Sequence, residues 1–461
     1  SWLVYANQPD FRSDVTLWGG RTILRDGGAW PVVSNLLIRG FATRSTDDLG
    51  GNNFSSPEIN ILAYTTGALT QVHSDAVITL SHGGLSYQGR GNNTLGRESV
   101  QTVRKIVLDP QGVIDLQTVT ASGNYTGRLV MTQGLDRGPS GRGTLMVVGT
   151  SMLTDVIVSQ GVTPGAVLPW IANNQGAFIQ LNPSTLALER VPATDAPNDL
   201  SLWSPGNNYR VGNNSSFTPS GVIGNTSINS LGLYANDNVV LTIGDGNTFT
   251  ISAGGINHQP AGSSKQTVIR GGQLTTGTDE LVMHGGNSAA SHSLALDTAI
   301  VDPPGGTLSL LKAGIGLLTL AGTQNNTYSG STFVNMGVLE TRKTNAIAIP
   351  GKLVIQRGGT VILRGVGTAI SSSSDIIIEE DGMFACTDNT PSHSAPITIN
   401  GGNYRVGNRH PTLSVSGTGL AFNGGRIDHR STAFGSFSLQ TDVSYDSSST
   451  RQALWNRHST G

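Results

Sequence analysis

Two acidic clusters are the first residues of this chain that could do chemistry: Asp47-Asp48 and Glu379-Glu380-Asp381. Glycoside hydrolysis needs two carboxyl groups flanking the scissile bond, one as acid and one as base or nucleophile. His82-Gly83 and Arg104-Lys105 follow the first cluster and would supply a donor and cations for an acidic sugar. The second cluster closes an Ile-rich stretch just before Gly382, where a solvated turn is the expected role.

No other constellation points to catalysis. The nine histidines are scattered, without a helical H-x-x-x-H pair or a Cys/His spacing for a metal. Cys386 is the single cysteine, and after Phe384-Ala385 it is expected to be a small buried hydrophobe. Gly244-Asp245-Gly246-Asn247 reads as a turn; Gly89-Arg90-Gly91 and the glycines of 138–143 lack the lysine and helix of a phosphate loop. Calcium-binding nonapeptides are absent. The sequons at Asn53, Asn124, Asn225 and Asn325 are what chance gives in an Asn/Ser/Thr-rich chain. The expectation is a non-enzyme with no cofactor and no metal site.

The elements that must carry these residues are strands. Glycine contributes 61 of 461 residues against a usual level of roughly 7%, and charged residues only 13%. Aliphatic and β-branched residues are plentiful and the net charge is −2, so the composition is not that of disorder. With 28 basic and 30 acidic residues spread along the chain, neither nucleic acid nor an anionic membrane surface is expected as partner. No apolar run approaches the roughly 18 residues of a membrane span. The chain opens on Ser1-Trp2-Leu3-Val4-Tyr5 without an initiator Met, as expected of a processed chain or a piece of a longer one.

One corner recurs, a glycine followed by an apolar or aromatic residue. It stands at Gly337-Val338-Leu339, Gly359-Thr360-Val361, Gly382-Met383-Phe384, Gly402-Asn403-Tyr404 and Gly425-Arg426-Ile427, so the numbering advances by a nearly constant step in the low twenties. A period of that size marks stacked coils, each one turn of a superhelix. Glycine suits these corners because a sharp turn needs positive φ, which costs nothing only without a Cβ. The same corner occurs less regularly upstream, at Gly84-Leu85, Gly255-Ile256 and Gly272-Gln273-Leu274. From 123 to 222 the corner disappears and prolines become frequent (Pro139, Pro164, Pro169, Pro183, Pro192, Pro197, Pro205, Pro219). The expectation is an all-β, right-handed parallel β-helix with coils over 1–122 and 223–461. Between them, 123–222 is expected to form a loop-rich, Pro-rich elaboration or insertion.

The run from Lys312 through Gly314, Gly316, Leu318, Leu320 and Gly322, then Asn326, Tyr328, Gly330, Thr332, Val334, Gly337 and Leu339, resembles the autotransporter-associated β-strand repeat. That repeat, also called the passenger-associated transport repeat, belongs to bacterial surface proteins. One extra residue precedes Asn326, and Ser331 stands where the repeat often has glycine. The resemblance implies a right-handed parallel β-helix displayed outside a bacterial cell, and it supplies no catalytic residues. In the motif, Asn326 reads as a turn residue bonding its own backbone and Tyr328 as a ring stacked along the shaft. An autotransporter passenger should precede a membrane barrel, and residues 447–461 carry no barrel-like alternation.

The leading expectation is therefore a non-catalytic extracellular structural protein: a stalk, coat or self-assembling fibre subunit. An adhesin or glycan-binding surface module is the alternative, with Trp170 and Trp203 of the Pro-rich segment as its binding surface. A polysaccharide-degrading β-helix ranks third; polygalacturonases have a superficially similar residue order, but the Asn-Thr-Asp element expected before the Asp pair is missing. Since the ends of a solenoid are its open edges, end-to-end self-association is expected. Only dispersed monomers in size-exclusion chromatography at high concentration would speak against it.

Overall fold

The computed structural model describes residues 2–4, 14–18, 21–25, 29–44, 52–55, 58–63, 71–89, 99–118, 127–148, 156–157, 163–185, 187–212, 217–234, 237–259, 265–286, 293–364, 369–386, 395–406, 412–414, 420–429, 438–440, 443–445 and 456–457. Among these the protein is all-β, and the one helical element is the 3-10 turn Leu200–Leu202. The chain divides into two compact units, Ser1–Pro192 and Ala193–Gly461. Among the described residues no helix is long and apolar enough to cross a membrane.

The second unit is a parallel β-solenoid. Along one face run Leu317–Gly322, Gly337–Lys343, Gly359–Leu363, Met383–Cys386, Asn403–Val406 and Arg426–His429, each parallel to the next. Along a second face run Ser309–Ala313, Thr332–Val334, Leu353–Ile355, Ile376–Ile378, Ile397–Ile399 and Leu420–Phe422, also parallel. A bridge between Ile349 and Ile370 joins successive coils on a further side.

The pairing register repeats the period of the glycine corners. Val338 pairs with Thr360, Thr360 with Met383, Met383 with Asn403 and Asn403 with Arg426, and each offset equals the step between the corresponding corners. Such stacking puts like positions above one another inside the shaft. Leu318, Leu339, Val361, Phe384, Tyr404 and Ile427 form one buried interior column, with the Phe384 and Tyr404 rings stacked at 5.6 Å. Each such side chain contributes about 1.5–3 kcal/mol on leaving water.

The first unit uses three sheets built mainly on parallel pairing. One orders Val15–Trp18, Asn35–Arg39, Val77–Ser81, Lys105–Leu108 and Leu135–Asp136. In its column Val15, Leu36, Ile78, Ile106 and Leu135 the steps are uneven, and the one from Leu36 to Ile78 is twice the one before it. The doubled step holds an excursion that includes the antiparallel hairpin Phe41–Arg44 and Asn52–Ser55. Variable coil length of this kind hides a period from the sequence without disturbing the ladder. Within 123–222, Gly127–Met131, Thr144–Val148 and Val167–Asn173 pair in parallel with earlier strands, and Phe178–Leu181 and Leu188–Arg190 extend the last of these sheets as an antiparallel meander. The boundary between the units, at Pro192 and Ala193, falls inside this segment.

Glycine is required where the corners stack. Gly337 has φ 75°, and a Cβ there would run into the carbonyl oxygen of Gly314, itself at φ 72° over Gly285. Gly305, at φ 73°, has open space around its missing Cβ. The pair separates conformational strain from collision. Gly305→Ala should cost about 1–2 kcal/mol for the left-handed backbone alone, and Gly337→Ala measurably more, as read by chemical denaturation. Equal costs would show that the corner can open.

Candidate functional site

The structure ties the second acidic cluster into the coil framework. Asp47 and Asp48 lie outside the described residues. Lys105 starts a strand, paired with Val77, whereas His82 follows the far end of that neighbouring strand. The rise along the intervening strand puts them about 16 Å apart. Lys105 pairs instead with Asp136 at 2.9 Å. Glu380 and Asp381 meet the buried guanidinium of Arg357, one coil earlier, at 2.8 and 2.9 Å, and Glu379 accepts from Asn400 one coil later. The turn is thus an ion-paired corner rather than one merely solvated.

The remaining candidates are tied into the framework. Cys386 is buried with its thiol 3.8 Å from the Tyr404 hydroxyl, and burial pushes that thiol up to about 12. Gly138, at φ 73°, closes a turn against the Leu108 carbonyl. Arg90, Gly91 and Asn124 lie outside the described residues, and of Asn53 only the strand is described. The carboxamides of Asn225 and Asn325 each accept a backbone N–H of the following coil, from Thr248 and Ile347, both at 2.7 Å.

The binding surface expected of Trp170 and Trp203 is corrected. Trp170 is 8% exposed, in the core of the first unit, with the Arg137 guanidinium 5.4 Å from its ring. Trp203 is 3% exposed, stacks on Tyr209 at 5.2 Å and donates its indole N–H to Pro197 O. Large aromatic rings in a chain short of other bulk are drawn into the core. Among the tryptophans whose side chains are described, the exposed one is Trp18, 51% accessible, with Arg39 of the next coil 4.5 Å from its ring. Its place at a strand end before Gly19-Gly20 is the one hint the sequence holds. Near Arg39, burial raises the Asp109 carboxyl above its ordinary value, against the lowering pull of that guanidinium.

The repeat residues form a buried polar seam. Asn326 accepts from Ile300 N–H at 3.0 Å and donates to Ala348 O at 2.7 Å, so one side chain links three coils. Tyr328 is fully buried and shares a 2.6 Å bond with the Thr332 hydroxyl; burial raises its phenol. Gly316 and Gly330 sit where a Cβ would strike neighbouring backbone, at Gly286 and Leu308. Lys312 points into the shaft, paired between Met283 and Val334, and its ammonium donates to the carbonyls of Ala313, Gly314 and Met336 at 2.9, 2.7 and 3.1 Å. Burial pushes Lys312 down to about 7.

A solvent-facing cleft of about 310 Å³ opens where four successive coils of the second unit turn one corner. Asp245, Arg270, Asp297 with Thr298, and Thr323 with Gln324 supply its polar lining, in that coil order. Thr242 pairs with Arg270 and Arg270 with Asp297, so the charges alternate along the shaft. Asp245 enters from a bulge, where the register shifts between Ile243 and Thr248. Below the rim, the buried Lys343 ammonium donates to Thr298 O at 3.0 Å and Gln324 O at 2.7 Å. Burial lowers Lys343 to about 8, against the raising pull of Asp297. Residues far apart in the chain meet here only through the coil register, which no local motif announces.

No family model matches the chain, and no solved structure matches it. Over 330 residues, 69% of this chain, it is 26% identical to a protein of Brucella suis biovar 1 (strain 1330) named adhesin BmaC autotransporter. The matched part is 9% of that protein's length. The chain is thus a parallel β-solenoid with distant similarity to part of an autotransporter adhesin.

Lys312 makes the pH dependence testable. Its ordinary value is 10.5 and its folded value about 7, so between these pH values the unfolded chain holds more protons and stability rises with pH. Lys343 acts with the same sign from about 8 upward. Unfolding free energies of Lys312→Met across this range should lose close to one proton of slope, about 1.4 kcal/mol per pH unit. An unchanged slope would mean the ammonium is not buried as described.

Proposed function

We propose that this chain is a surface-exposed, adhesin-like segment of a bacterial protein, its solenoid serving as the scaffold that presents binding groups. The similarity to an autotransporter adhesin over 69% of the chain carries this reading. The fold suits it, since coil-to-coil hydrogen bonding holds a solenoid without disulfides while its loops and corners can vary. The described residues offer lateral groups for recognition, the cleft at Asp245–Asp297 among them. We place the chain outside the cell, working without cofactor, catalysis or nucleic acid, with glycans or a second copy of itself as the partners to test first.

The shaft alone, acting as inert spacer or fibre, is the competing role, and attachment distinguishes the two. Displayed on a non-adherent bacterium, the chain should raise attachment to cultured animal or plant cells, or to glycan-coated surfaces, at least several-fold over an empty display vector. Attachment at the empty-vector level on every surface would leave the spacer role and overturn the adhesin reading.

A further inference from the structure

We propose that the lateral cleft of the second unit is a saccharide subsite that takes one neutral, hydroxyl-rich sugar unit. This deepens the adhesin reading and rests on it. A sugar hydroxyl is donor and acceptor at once, so its site must offer both. The cleft does: the Asp245 and Asp297 carboxylates only accept, the Arg270 guanidinium only donates, Thr323 and Gln324 can do either, and Thr298, whose hydroxyl proton goes to Gly272 O, can only accept.

The charges select against other ligands. Two carboxylates stand against Arg270 and the ammonium of Lys343 beneath the rim, which leaves no net field to draw an ion. A calcium site gathers six to eight oxygens and would not hold a guanidinium in its midst. An anion site would not place carboxylates on either side of its arginine. The volume of about 310 Å³ is at the lower end of the roughly 300–1,000 Å³ of small-molecule sites, which suits one sugar ring.

The site is also built before any ligand arrives. Lys343 joins the Thr298 and Gln324 segments of adjacent coils, and the Thr298 hydroxyl donates to Gly272 O at 3.1 Å while keeping its lone pairs. Arg270 donates to the Thr242 hydroxyl at 3.3 Å, which fixes its course along the cleft wall. Gly322, at φ 94°, leaves the space that the Asp297 carboxylate fills, for a Cβ there would collide with it. A rim fixed in this way loses little freedom when a sugar docks.

The test is ligand-observed NMR titration of the whole chain with methyl glucoside, methyl galactoside, methyl mannoside and methyl N-acetylglucosaminide. Glucuronate and calcium chloride form the ionic arms. At least one neutral glycoside should bind saturably, and Asp297→Asn and Gln324→Ala should each weaken it about tenfold while the β-sheet circular dichroism of the folded chain is retained. Binding of no neutral glycoside, of glucuronate or calcium alone, or with an affinity indifferent to both substitutions would overturn the proposal. A chain that attaches to cells but binds no glycoside keeps the adhesin reading and loses the cleft. One that binds glycosides at the cleft but attaches to no surface does the reverse.

Discussion

From Ser309 onward each coil of the second unit is completed by the next: the backbone N–H and C=O groups of one strand find their partners a coil away, in parallel and in register. A strand's side chains alternate between its two faces, so a slip of one residue would take Leu339, Val361 and Phe384 out of their shared interior column. Register is therefore enforced by the whole interior column at once. The corner glycines follow from the same demand. Coils spaced by roughly 4.8 Å leave no room for a Cβ between Gly337 and the Gly314 carbonyl.

The polar groups held inside this frame belong to the corners. Lys312 donates to three carbonyls at a sharp turn, and Asn326 joins three coils through one carboxamide. Buried polar groups are costly unless bonded, and here the Lys312 bond to Met336 O and both Asn326 bonds run between coils and so reward the stacked state. Lys343 does the same beneath the cleft, where the support of the framework and the geometry of the rim become one matter.

What could be read beforehand followed from local rules, and what could not depended on contacts across coils. The steps between the glycine corners from Gly337 to Gly425 are the pairing offsets themselves, because glycine marks the turn in every coil. The first unit was harder to read, since the longest step in its column, Leu36 to Ile78, is twice the shortest, Val15 to Leu36. Trp170 and Trp203 suggested a surface because they lie among prolines, yet rings of that size fill core wherever a meander or turn offers it. The pairing of Arg357 with Glu380 and Asp381 joins residues a full coil apart. The cleft gathers Asp245, Arg270, Asp297 and Gln324 by stacking alone, so only the register reveals it.

A binding surface on such a shaft is a pattern written across coils, which lets one rung be exchanged without refolding the rest. Register is the quantity on which the whole arrangement turns, and cysteine cross-linking measures it directly. In a Cys386→Ala background, Ile377→Cys with Thr398→Cys joins two half-buried register partners, at a spacing within the range a disulfide spans. Ile399, one residue further, is buried in the core. Mild oxidation should close the 377–398 pair within one chain and leave Ile377→Cys with Ile399→Cys reduced. Closure of the second pair in place of the first would place the coils out of this register and contradict the account.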